Sequence, residues 1–244
     1  MKGWTIVCSL LVAVAAVSLR AADRRVNYFG QLEYLTYSDA FEKNEKKFRD
    51  DLLEAYGSDG IVSGSNDTKG GAGARIGAMA TTPVDGLTIG GSLGYIMGPM
   101  FKGKMIVPIT MLDDMANDLG EHLVALKVKD ESNIWRLMAE SKYSVPIGEK
   151  FQARLGFGIG IAKLHVEENF SDEFVGGGGT LSSEYRAINT TKITWEIGPA
   201  IAMVTKKMAF ELSLTYSQMP TAKDSLSFQK FNWNPLAIRL GVDF

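Results

Sequence analysis

Nine charged residues stand where charge is expensive to place. Glu33, Glu140, Glu196 and Glu211 supply carboxylates, and Arg75, Arg136, Lys142, Arg154 and Arg239 supply cations. Each lies within a stretch that alternates apolar and polar residues, so each shares a face with small or polar neighbours. The chemistry open to such a set is ion pairing. Guanidinium and carboxylate groups form short, bidentate, charge-assisted hydrogen bonds. A buried charge without a partner costs several kcal/mol. The signs nearly balance, so the set is able to neutralise itself. Two readings follow: a salt-bridged plug that holds a narrow space shut, or a narrow gated conduit lined by these charges.

Signals for other chemistry are thin. There are two histidines, His122 and His165. His165 is followed by Glu167 and Ser171, the residue types of a hydrolase or acyltransferase. Nothing in their spacing brings the three together, so His165 reads as a loop residue and no catalytic residue is assigned. The acidic run Glu167, Glu168, Asp172, Glu173 reads as a solvated loop, not a divalent-ion site. Gly176 to Gly179 lacks the Lys-Ser/Thr of a phosphate loop and reads as a flexible hairpin tip. No metal or cofactor is expected. A formal net charge of −2 argues against nucleic acid as the main partner.

The elements that must position the charges have a period of two, which is that of a strand with two unlike faces. Phe151 to Ala162 is the cleanest: Phe151, Ala153, Leu155, Phe157, Ile159 and Ile161 face one way, and Gln152, Arg154, Gly156, Gly158 and Gly160 the other. The same alternation runs through 26–37, 73–81, 87–97, 133–145, 193–203, 210–216 and 236–244. That makes eight strands, each near the length that crosses a bilayer when tilted. Their connections alternate long and short. Two long connections carry helical spacing. Asp39 to Tyr56 has a capping-box start and Phe41, Phe48, Leu52 and Tyr56 on one stripe. Thr110 to Leu126 places Leu112, Met115, Leu119, Leu123 and Leu126 on another. These segments cover the outer mouth or offer a surface to a partner, with Lys43, Lys46 and Lys47 as cations able to meet phosphates. Pro199 removes one ladder hydrogen bond inside its strand. Trp233 falls on the charged face, and Pro235 marks a bulge that shifts the parity there.

Residues 1–16 have a short basic start and an apolar run ending in small residues, which is a secretory signal peptide. The only cysteine, Cys8, lies within it, so no disulfide is expected. Residues 17–25 form a short extension and 26–244 the barrel domain.

Aromatic residues gather at the strand ends. Tyr28, Tyr143, Phe151, Phe210 and Phe244 mark one end; Tyr34, Tyr95, Trp135, Trp195 and Tyr216 mark the other. Two such belts are expected at two membrane interfaces. With the signal peptide, the loop asymmetry and a last strand ending on Phe244, the chain resembles the small eight-stranded outer-membrane β-barrels of the OmpA transmembrane domain, OmpX or OmpW kind. The resemblance implies an all-β, antiparallel up-and-down barrel, its apolar faces toward lipid and its charges within. It implies that Ile238, Leu240, Val242 and Phe244 form the C-terminal signal read by the barrel assembly machinery. It further implies outer-membrane lipid and lipopolysaccharide as surroundings, and a monomeric, structural or weakly porin-like protein. A binding or adhesion role through the loops is the alternative, and a lipid A-modifying enzyme a more distant one. A soluble lipocalin-type barrel would show the reverse polarity, with a greasy lumen.

Overall fold

The computed structural model describes residues 26–36, 63–112, 118–175, 179–218, 222–223, 230–231 and 236–244. The strands are β1 (Val26–Leu35), β2 (Ser63–Lys69), β3 (Gly71–Thr81), β4 (Leu87–Leu112), β5 (Asp118–Pro146), β6 (Phe151–Phe174), β7 (Thr180–Val204), β8 (Ala209–Gln218), β9 (Ala222–Lys223), β10 (Lys230–Phe231) and β11 (Leu236–Asp243). Eight of them close a ring in the order β1, β3, β4, β5, β6, β7, β8, β11, every pairing antiparallel. The first and last strands make the seam. Phe244 N–H donates to Tyr28 O at 2.8 Å, and Tyr28 N–H to Phe244 O at 2.9 Å. Closure pairs the backbone groups that an open sheet would leave bare, which lipid cannot hydrate.

Alternation decides which face points where. Leu32, Ile76, Leu155, Phe157, Ile193, Leu212 and Leu240 are exposed on the outside, while Arg75, Arg136, Glu196 and Arg239 are buried within. This is the reverse of a soluble barrel. The two aromatic belts lie on the same outer face as the exposed aliphatics; Tyr95 and Trp135 touch, ring centroids 4.5 Å apart, as do Trp195 and Tyr216 at 5.8 Å. Pro199 is absorbed locally. The ladder to β8 lapses at Gly198 and Pro199 and resumes in the same register at Ala200.

Strand length departs from the sequence-based expectation. β4, β5, β6 and β7 have 26, 29, 24 and 25 residues, whereas β1, β3, β8 and β11 have 8 to 11. About 9–11 residues cross a bilayer. The surplus of β4 to β7 continues past the loop-side aromatic belt as a sheet, joined at its edge by β2. The helix expected over Thr110 to Leu126 is therefore corrected. Among its described residues, Thr110 pairs Glu121, Ile109 pairs His122, and Val107 pairs Val124 across the β4–β5 hairpin. The leucines do fall at helical spacing, but the β-branched residues around them favour a pleated strand. Val107 and Val124 are fully buried on one face of that sheet. The helix expected over Asp39 to Tyr56, Lys43, Lys46, Lys47, Trp233, Pro235 and residues 1–25 lie outside the described residues.

A bulge separates the two parts of β4. Its register against β5 shifts between Met97 and Met100. Gly98 sits there with φ of 84°, a left-handed conformation that glycine adopts without strain. Beyond it the parity of β4 is reversed.

Candidate functional site

The lumen is built by pairing long residues with short ones. Glu140 lies between Gly90 and Gly158, Arg136 opposite Gly94, and Lys142 opposite Gly156. An eight-stranded barrel leaves an interior just wide enough for side chains, so each long group reaches inward over a neighbour lacking one. The space is close: a Cβ at Gly158 would stand 3.0 Å from Glu196 Cγ.

All nine charges singled out in the sequence meet here. Arg239 Nε donates to Glu33 Oε2 at 3.0 Å, and Arg136 donates to the other oxygen of Glu33. Glu196 accepts from three arginines: Arg75 at 2.5 Å, Arg239 at 2.6 Å and Arg136 at 3.2 Å. Arg75 also meets Glu140 at 3.1 Å. Gln31 links this group to the next. Its Oε1 accepts from Arg75 Nη2 at 2.7 Å, and its Nε2 donates to Glu211 at 3.1 Å. Glu211 then receives Lys142 and Arg154, each at 2.7 Å. A tenth charge completes the set. Asp243 accepts from Arg154 at 2.5 Å. It shares a face with Arg239, so strand parity alone would have found it. Five acids and five bases make one connected, neutral network.

Above the network, toward the long hairpins, the lumen changes character. Leu35, Ile96, Ile134, Ala162, Leu164, Val166 and Ala237 form a buried apolar cluster, with Phe170 and Ile188 packed against it. Leu164 continues the inward face of Arg154, and Ile134 that of Arg136. Leu35, Ile96, Ile134, Ala162 and Ala237 lie inside the strands expected from sequence, on their inward faces, but are not singled out there because the charges of those faces are the stronger signal. Leu164 and Val166 lie beyond the expected end at Ala162, and carrying the parity four residues further includes them. Toward the short turns the lumen is open. A cavity of about 30 Å³ lies among Gln31, Glu140, Lys142 and Arg154. A mouth of about 530 Å³ opens below it beside Arg154, Lys206 and Asp243.

A closed ring, apolar outside and ionic inside, decides the architecture. The chain has the fold of the small eight-stranded outer-membrane barrels. No family model matches the barrel's sequence, and no curated protein matches it. Solved structures similar to it include Neisserial surface protein A, at TM-score 0.41 and 11% identity over 90% of this chain and 97% of that one. Ail, the attachment invasion locus protein of Yersinia pestis, matches at TM-score 0.38 and 9% identity over 89% and 96%. OprG from Pseudomonas aeruginosa matches at TM-score 0.34 and 11% identity over 89% and 93%.

The remaining candidates of the barrel do not converge. His165 Nδ1 contacts Asn189 Oδ1 at 3.0 Å and its Nε2 contacts Glu167 at 3.1 Å. Ser171 lies six residues along the same strand, roughly 20 Å away. The acidic run divides between the faces of β6: Glu168 is buried and Asp172 bonds Ser182, while Glu173 pairs with Lys127. Ile238, Leu240 and Phe244 of the C-terminal strand are exposed on the outer face of the barrel.

Proposed function

We propose that this chain is exported and inserted in the outer membrane as a structural barrel whose lumen does not conduct. The apolar layer at the loop-side end of the lumen supports this reading most strongly. An ion arriving from that side would have to pass a level of the lumen filled mainly by aliphatic side chains, a costly transfer. An ion arriving from the turn side would have to displace a neutral network whose groups already hold one another. The weakly porin-like alternative requires both obstacles to move together. The test is a planar-bilayer recording of the purified, folded barrel. A flat baseline is expected, and discrete conductance steps of the wild-type chain would overturn the proposal. Migration on a gel before and after boiling checks that the sample is a folded, detergent-resistant barrel.

Binding at the outer surface is the second reading. It draws support from the β4 to β7 sheet, whose laddered backbone carries side chains beyond the membrane in fixed positions. Catalysis is not part of the proposal, since His165 is engaged by Asn189 and Glu167 at a distance from Ser171. A mass shift in lipid A that vanishes in His165→Ala would contradict that.

A further inference from the structure

The lumen network divides into two parts, each neutral by itself. Glu33, Glu140 and Glu196 pair with Arg75, Arg136 and Arg239. Glu211 and Asp243 pair with Lys142 and Arg154. No ion pair among the described residues joins the two parts, and the uncharged side chain of Gln31 bonds to both. The last strand supplies one charge to each: Arg239 to the first part and Asp243 to the second. Before β11 docks, the first part therefore holds three carboxylates against two guanidiniums. The second holds the Glu211 carboxylate against Lys142 and Arg154. The open seam thus presents excess negative charge at one level and excess positive charge nearer the turns.

The outer face of β11 cannot fix its alignment. A slip of one residue would turn the charged face outward, so it is excluded by polarity. A slip of two keeps the faces, and Leu236, Ile238, Leu240, Val242 and Phe244 are apolar at every step. The inner face does discriminate. In the observed register Arg239 stands opposite Glu33, Gly241 opposite Gln31 and Asp243 opposite Phe29. Moved two residues one way, β11 would set Arg239 opposite Leu35 in the apolar layer. The same slip would bring Asp243 opposite Gln31, at the position that faces Glu211 on β8. Moved two residues the other way, it would leave Glu33 opposite Ala237 and carry Asp243 to the level of Asn27, away from Arg154. Either slip puts a charged side chain opposite Gln31. Gly241 stands there now, and a Cβ at that position would already lie 2.7 Å from Gln31 Cγ. Each alternative alignment therefore strands buried charges and overfills one position of the lumen.

We infer that Arg239 and Asp243, with Gly241 as the gap between them, form a register key: the inner face of the last strand fits the unclosed lumen in one alignment and selects how the ring closes. Ile238, Leu240, Val242 and Phe244, the implied assembly signal, lie on the opposite face, so the two roles fall on different side chains. The experiment uses the full-length chain with Cys8→Ser, folded in lipid vesicles under reducing conditions and then oxidised. Leu32→Cys is combined in turn with Leu240→Cys, Ile238→Cys and Val242→Cys. Leu32 and Leu240 stand opposite each other and are exposed, within disulfide reach, whereas the two diagonal partners are too distant for a bond. With the key intact, the Leu240 pair is expected to cross-link at least about tenfold more than either diagonal pair. Arg239→Gln/Asp243→Asn removes both charges at similar size and is expected to bring a diagonal pair within about threefold of the Leu240 pair. Arg239→Asp/Asp243→Arg keeps the net charge and is expected to abolish the preference for Leu240. Lys206→Gln/Lys207→Gln, in the β7–β8 turn, is expected to leave the pattern unchanged. An unchanged pattern in the Arg239→Gln/Asp243→Asn chain would overturn the key. So would a failure of that chain to fold with no diagonal cross-link, which would show that the residues act on stability alone. A shift of equal size in the Lys206→Gln/Lys207→Gln chain would overturn it as well.

Discussion

Glu33 and Arg239 stand directly opposite each other where the first and last strands of the ring meet, with Nε and Oε2 3.0 Å apart. The pair ties the seam of the barrel on its inside, while the backbone bonds of Tyr28 and Phe244 tie it at one end. Each partner also reaches across the lumen, Glu33 to Arg136 and Arg239 to Glu196.

Removing one member of such a network strands the others. Arg239→Ala leaves two buried carboxylates short of a cation and is expected to lower stability by about 3–5 kcal/mol. Arg154→Ala, nearer the open turn-side mouth, is expected to cost less, because water reaches Glu211 and Asp243 there. Urea unfolding in lipid vesicles measures both. An unchanged midpoint for Arg239→Ala would show that the seam does not depend on the ion pair.

The apolar layer makes a separate prediction about access. Ala237 is fully buried within it. With Cys8 removed, a cysteine placed by Ala237→Cys is expected to resist a charged thiol reagent at neutral pH. Adding Ile134→Gly and Leu164→Gly is expected to raise the labelling rate at least about tenfold, since two voids adjoin the site. Equal rates in the two backgrounds would mean that the layer is not a barrier.

Glycine is expected to matter where a long group passes overhead. A Cβ at Gly241 would meet Gln31 Cγ at 2.7 Å, and Gln31 is bonded to both Arg75 and Glu211. Gly241→Ala is therefore expected to cost about 1–3 kcal/mol through overpacking. Gly148 lies in the turn before β6 with nothing within 4 Å, and Gly148→Ala is expected to be neutral. Urea midpoints that fail to separate the two variants would contradict a closely filled lumen.

Phe244 carries the proposed assembly signal. Its main chain, not its ring, closes the seam, so Phe244→Ala is expected to refold in vitro with a stability close to wild type. In cells the same variant is expected to reach the outer membrane in several-fold lower yield. Comparing membrane yield with the in vitro unfolding midpoint separates targeting from stability. An equal loss in both would mean that the residue acts only through packing.

Much of this barrel was determined by sequence alone, because a strand has a period of two and a membrane inverts the usual polarity. Leu155 and Phe157 against Arg154 and Gly156 state which face is which, and the same rule placed all nine lumen charges on one side. The outward belts of Tyr28, Tyr143, Trp135 and Tyr216 follow from the same count. What the sequence could not decide was where each strand stops and which residues meet. Polarity rises past Ala162, so β6 reads as ending there, yet paired backbones carry it to Phe174 by hydrogen bonds that composition does not show. Helical spacing over Thr110 to Leu126 was overridden in the described residues by cross-strand pairing with partners a hairpin away. The joining of Glu33 to Arg239, 206 positions apart, the stacking of Leu164 on Ile134's layer, and the reversed parity of β4 after Gly98 depend on ring closure, register and a bulge. Those are set by long-range pairing, and no local pattern encodes them.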